Sequence, residues 1–164
     1  KKQLLPFIKA TVDESQTLWG INDVFLGRRD HASARYEVSF SGESEHQSSS
    51  GIIISTGIGS TGWLKSIQTM LIELTGNAGS LNHLPRPADQ ELVFVTREPF
   101  PSPKTGTDLV TGRITPDEPL VVISEMPEGG CIFSDGIVEK GLTWNAGSSV
   151  TITVGERFIN RIIP

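Results

Sequence analysis

The stretch GIIISTGIGSTGW, Gly51 to Trp63, runs from a continuous apolar segment into a bend carrying Gly57, Gly59 and Gly62. An apolar run of strand length, bounded by turn residues, predicts a strand covered on both faces. Beyond the bend, Leu64, Ile67, Leu71 and Leu74 recur at helical spacing. Ser60 or Thr61 is the expected N-cap, and Gly76-Asn77 the expected stop. A buried strand, a glycine bend and a single amphipathic helix thus form the organising unit of the chain.

Outward from that unit most segments read as short strands. In ARYEVSF, Tyr36, Val38 and Phe40 alternate with Arg35, Glu37 and Ser39, so one face is expected to be buried and the other wet. ELVFVTR (91–97), PLVVISEM (119–126), CIFSD (131–135) and SVTITV (149–154) are further strand candidates. Pro127 to Gly130 reads as a hairpin connection, and Gly155-Glu156 as a second tight turn. GESEHQSSS and the proline-rich REPFPSPKTGTD read as loops. The expected fold is mainly β: a two-sheet, β-sandwich-like domain with one principal helix after a glycine-rich turn, occupying residues 1–164 as a single unit.

At 164 residues, 37% apolar and 20% charged, the chain is long enough for one domain with a real core. A net charge of −5 argues against a nucleic-acid or membrane-surface partner, since both select basic patches. No apolar run approaches the roughly 20 residues of a membrane span. Cys131 is the single cysteine, which excludes an internal disulfide and makes a reducing cytoplasm the expected setting. KKQLLPFIKA is too short and too interrupted, by Pro6 and Lys9, for a signal peptide. The chain opens on Lys1 rather than methionine, as an excised domain would.

Gly57, Gly59 and Gly62 spell G-x-G-x-x-G, the pattern of a Rossmann dinucleotide turn. That fold also requires a parallel strand after the helix and an acidic residue about 20 positions on. The chain offers Asn77, Ser80, Asn82 and His83 there, and its next strand-like run begins at Glu91. A P-loop fails as well, because no Lys-Ser/Thr pair follows the glycines. The physics of the bend is independent of either fold. A strand that ends in a glycine bend before a helix leaves backbone N–H groups free for an anion or a polar ligand edge. Thr56, Ser60 and Thr61 add hydroxyls, the glycines permit positive φ and close approach, and Trp63 adds a flat ring for base stacking. The same residues also read as a tight turn with a core tryptophan. His31, His46 and His83 lack ligand spacing and read as surface residues. Trp19 and Trp144 read as structural, and Cys131 as a small core residue.

These residues resemble a known family. GIIISTGIGSTGW is similar to the Asp-Gly-(apolar)-Ser/Ala-Thr-Pro-Thr-Gly-Ser-Thr-Ala-Tyr segment of the NAD kinases. INDVFLGRR (21–29) resembles that family's Asn-acid stretch, which leads into a strand. CIFSDGIVEKGL followed by GSSVTITV resembles its closing Asp-Gly and Gly-x-x-Val-x-Ile pattern. The blocks occur in the family's order and span Ile21 to about Val154. The resemblance implies the C-terminal, β-rich domain of a two-domain kinase. That kinase transfers a phosphoryl group from ATP or polyphosphate, with Mg²⁺, to the adenosine-ribose 2′-hydroxyl of NAD, giving NADP. The general base would lie in an N-terminal α/β domain with a Gly-Gly-Asp-Gly motif, absent from this sequence, so no catalytic residue is expected here.

Carried over by position, Asn22 and Asp23 match the pair that contacts the dinucleotide. Thr56, Gly59, Ser60 and Thr61 match the loop at the adenosine end, and Trp63 matches the tyrosine that packs on adenine. Asp135 matches the late Asp-Gly. Ser50 stands where the family carries an aspartate, and Gly57-Ile58 replaces its Pro-Thr. The Gly-Gly-Pro after the aromatic residue is missing. The resemblance further implies NAD(P) and ATP as partners, the chain's own α/β domain, a homo-oligomer, and a divalent ion arriving with the phosphate donor rather than held in a protein cage. Two other functions stay open on the same residues. One is a nucleotide-binding or regulatory module without chemistry; the other is a sugar or lipid kinase on the same scaffold.

Overall fold

The computed structural model describes residues 2–162; Lys1, Ile163 and Pro164 lie outside the described residues. Twelve strands and one α-helix occur in the order β1 (Lys2–Val12), β2 (Gln16–Gly20), β3 (Asp23–Arg28), β4 (Ala34–Phe40), β5 (Glu43–Ser49), β6 (Ile52–Ser55), α1 (Trp63–Thr75), β7 (Leu92–Thr96), β8 (Thr111–Ile114), β9 (Leu120–Ser124), β10 (Gly130–Ser134), β11 (Leu142–Thr143) and β12 (Ser149–Ile162). They form two six-stranded antiparallel sheets, β2-β1-β12-β9-β4-β5 and β11-β10-β3-β6-β7-β8. The mainly-β, two-sheet expectation with one helix after the bend is the fold observed.

The sheets share one core. Ile8, Tyr36, Val38, Val122 and Val150 of the first pack on Leu26, Ile52, Ile54, Phe94 and Ile132 of the second. Period-2 alternation does the sorting: Ile52 and Ile54 point into this core, while Ile53 points the other way. Ile53, Phe25, Val93 and Val95 make a second apolar layer that α1 covers through Leu64. Strand β6 is therefore buried on both faces, as its unbroken apolar run requires. A polar network crosses the main core. The Tyr36 hydroxyl donates to Gln47 Oε1 at 2.9 Å, and Thr96 Oγ1 donates to the same oxygen at 3.1 Å. Burial, partly offset by hydrogen bonds to Ser49 and Thr96, pushes the Tyr36 phenol up to about 12.

Several local expectations are corrected. Pro127 to Gly130 is no hairpin, because β9 and β10 belong to different sheets and the turn crosses between them. Gly155-Glu156 lies within β12, opposite a register shift between Pro6 and Ile8 of β1, so it bends a continuous strand instead of ending it. GESEHQSSS contains β5, an edge strand that buries only Gln47 and Ser49. The opening segment from Lys2 to Ala10 belongs to β1, with Pro6 at the register shift. Helix α1 is capped by neither Ser60 nor Thr61. Gly59–Thr61 already forms a 3₁₀ turn, and Ser60 Oγ donates back to the Gly57 carbonyl at 2.8 Å. The helix stops as expected at Gly76, whose φ of +76° is readily adopted by glycine. Leu74 leaves the apolar stripe and is 74% exposed.

Candidate functional site at the glycine bend

The three sequence blocks meet where β3 begins. Two short segments clamp the Ile21–Asp23 backbone from either side. From the glycine bend, Thr56 N–H donates to the Asn22 carbonyl at 3.0 Å and Thr56 Oγ1 donates to the Ile21 carbonyl at 2.7 Å. The same hydroxyl accepts from Gly59 N–H at 3.1 Å, tying the bend to itself. From the β10 end, the Asp135 carboxylate accepts the N–H groups of Ile21 at 2.9 Å, Asn22 at 2.6 Å and Asp23 at 3.3 Å. Asp135 N–H returns a bond to the Asp23 carbonyl at 3.0 Å. Asp135 sits at φ +51° and Gly136 at +74°, a consecutive left-handed pair that turns the chain so this carboxylate faces β3.

The glycines of the bend serve main-chain packing. A Cβ on Gly57 would stand 1.9 Å from the Arg86 carbonyl oxygen, and one on Gly59 would stand 2.0 Å from that of Asn22. None of Gly57, Gly59 and Gly62 has positive φ, so the conformational freedom expected of them is not what the structure uses. Close approach is used, but between segments of the protein. Thr56 and Ser60 are likewise buried, with their hydroxyls committed to carbonyls.

What remains open is a cleft of about 380 Å³. Asn22 and Asp23 edge it on one side, Ile58, Gly59, Thr61 and Trp63 on the other, and Asp135-Gly136 close it. The Asp23 carboxylate has no hydrogen-bond or ionic partner among the described residues. Burial, and then the charge of Asp135, push it above the ordinary aspartate range. A half-buried, unpartnered, perturbed carboxylate in a cleft marks a place where the fold tolerates cost. No side chain caps the start of α1, and its own first turn holds no acidic residue. No lysine or arginine lines this cleft, which suits ligand hydroxyl and amino donors better than phosphate.

Trp63 is half-buried rather than sunk in the core. Its indole stacks on Phe25, with ring centroids 5.7 Å apart and planes 14° from parallel, and the Arg97 guanidinium lies over it at 5.3 Å. Ser50 is not in the cleft. It precedes β6, about 20 Å along the strand direction from Thr56, and its hydroxyl donates to Glu98. Of the residues singled out in the sequence, Asn22, Asp23, Gly59, Thr61, Trp63 and Asp135 gather around one cleft, while Thr56, Gly57 and Ser60 lie in its supporting wall. Sequence reasoning overlooked Arg97 and Glu98, which sit in a proline-rich segment that carries no periodic signal.

A second, apolar pocket of about 530 Å³ lies between α1 and the outer face of β7, with Trp63 in its wall as well. Trp144 is fully buried, Cys131 is buried with its thiol pushed up mainly by that burial, and His31, His46 and His83 are exposed, each as expected. No group of three or more His, Cys, Asp or Glu among the described residues is placed to hold a metal ion. No helix among the described residues is long and apolar enough to cross a membrane.

Fold and site together define a class: a two-sheet antiparallel β domain whose one helix starts at a glycine bend beside an acidic cleft. No family model matches the chain, and no curated protein matches it in sequence.

Proposed function

We propose that the cleft holds the adenosine half of NAD, as the dinucleotide-binding domain of an NAD-kinase-like phosphotransferase that makes NADP. Asp23 carries this reading: its carboxylate lacks a partner among the described residues, is half-buried, and faces a cleft whose described lining holds no cation. The ribose 3′-hydroxyl donates a hydrogen bond to such a carboxylate and relieves the cost of burying it, leaving the 2′-hydroxyl proton free for the reaction. Asn22, exposed beside it, adds an amide that can donate and accept. The edge of Trp63 bounds the nucleobase, and Arg97 must move for a base to stack where its guanidinium now lies.

In this reaction the chain's own residues position and orient. The ribose 2′-oxygen bonds to phosphorus as the bond to the leaving phosphate breaks, and its proton passes to a base on an N-terminal α/β domain. ATP or polyphosphate would bring Mg²⁺ with it, held by phosphate oxygens rather than by a protein cage. A cytoplasmic homo-oligomer is the setting this reading implies. Ser50 and its partner Glu98 lie outside this cleft, so the departure at Ser50 does not bear on it. A binding module without chemistry would use the same cleft.

Calorimetric titration with NAD and with adenosine tests the reading. The expected result is saturable binding of both, weakened about tenfold or more by Asp23→Ala and by Asn22→Ala. Equal affinity of wild type and Asp23→Ala for both ligands would remove the cleft from consideration.

A further inference from the structure

We propose that the apolar pocket beside α1 is a separate binding site for a single-chain amphiphile with a carboxylate head, its acyl chain inside the pocket and its head on Arg97. The inference does not rest on the nucleoside reading. At about 530 Å³ the pocket is of small-molecule size. Its walls are mostly aliphatic and deformable: Ile67, Met70 and Leu71 from the helix, Leu81 from the segment after it, and Val95 and Val110 from the sheet side. Met70 is 51% exposed at its mouth, an apolar side chain left in water by the free protein.

Charge selects the head. Arg97 lines this pocket half-buried, and its guanidinium makes no hydrogen bond or ion pair with any described residue. It rests only on the Trp63 ring. Glu98, the other charged group in the lining, already accepts the Ser50 hydroxyl. Thr96 is committed to Gln47 and Thr111 to the Phe94 carbonyl, and among the described lining residues Arg97 is the one cation. A guanidinium fork beside an aliphatic cavity matches a carboxylate at the end of an acyl chain, through two parallel N–H···O bonds.

The test is calorimetric titration of the whole chain with straight-chain carboxylates from butanoate to decanoate, and with decanol, all below their aggregation concentrations. Affinity is expected to rise up to about fourfold per added methylene until the pocket is full. Arg97→Gln should weaken decanoate about tenfold and leave decanol within twofold. Met70→Glu, at an exposed position that tolerates charge, should abolish binding of both. No decanoate binding to wild type, or undiminished binding to Met70→Glu, overturns the site. Equal decanoate affinity in wild type and Arg97→Gln overturns the assigned head group. Sedimentation showing that Met70→Glu dissolves an oligomer, with no decanoate binding to wild type, would assign the face to a second copy of the chain and overturn the proposal.

Discussion

The glycine bend has two sides that differ in what they ask of their residues. On the inner side, Thr56, Gly57, Gly59, Ser60 and Asp135 commit their polar groups and their lack of bulk to other parts of the protein. On the outer side, Asn22, Asp23, Thr61 and Trp63 keep exposed or half-exposed surface, and Asp23 carries a cost with no partner to offset it. Residues that are adjacent in sequence thus divide into a frame and an open face. Substitutions on the frame should act on stability, and substitutions on the open face should act on binding.

The largest effect belongs to the frame. Gly59→Ala sets a methyl 2.0 Å from the Asn22 carbonyl oxygen, a clash with main chain that no rotamer relieves. A loss of about 3 kcal/mol or more, read by urea denaturation, is expected, or failure to fold. Alanine tolerated at little cost would show that the bend and β3 are not locked together. Asp135→Asn comes next. Asparagine tolerates the left-handed backbone here but weakens the acceptor of the Ile21, Asn22 and Asp23 N–H groups. A destabilisation of about 1–3 kcal/mol is expected, with the Asn22 and Asp23 amides becoming faster in hydrogen exchange.

The open face should behave in the opposite sense. Asp23 is held above its unfolded value chiefly by burial, so folding disfavours its ionised form. Its favourable contribution is complete below the ordinary aspartate pKa and is lost as pH rises through the raised value. Asp23→Asn should therefore raise Tm at pH 7, by roughly 1–3 °C, and the gain should vanish near pH 3. A stability gain coupled to a binding loss is the signature of a functional carboxylate; a Tm loss at pH 7 would put Asp23 in the frame. Trp63→Phe should be the mildest change, keeping the stack on Phe25 while weakening NAD about threefold through lost ring area.

The same division explains how much was legible in the sequence. Strands with a buried face or two announce themselves: Ala34–Phe40 by alternation, and Ile52–Ser55 and Leu92–Thr96 by unbroken apolar runs. Edge strands do not. Glu43–Ser49 is almost wholly polar, because its inward positions join a hydrogen-bond network through Gln47 and Ser49. Pro127–Gly130 misleads because a turn between sheets uses the same residues as a hairpin. At the site, Asn22, Asp23 and Trp63 could be placed together because their blocks resembled an ordered set. The inward commitment of Thr56 and Ser60 was not legible, since a hydroxyl in a glycine bend looks alike whether it faces a ligand or a carbonyl. Arg97 escaped because its role depends on Trp63, more than thirty positions away.

The most direct measurement is a crystal structure of the protein soaked with NAD. The account predicts the adenosine ribose in the cleft, its 3′-hydroxyl on the Asp23 carboxylate and its 2′-hydroxyl turned to solvent where a second domain would approach. NAD bound elsewhere with the Asn22–Asp23 cleft holding only water would contradict it.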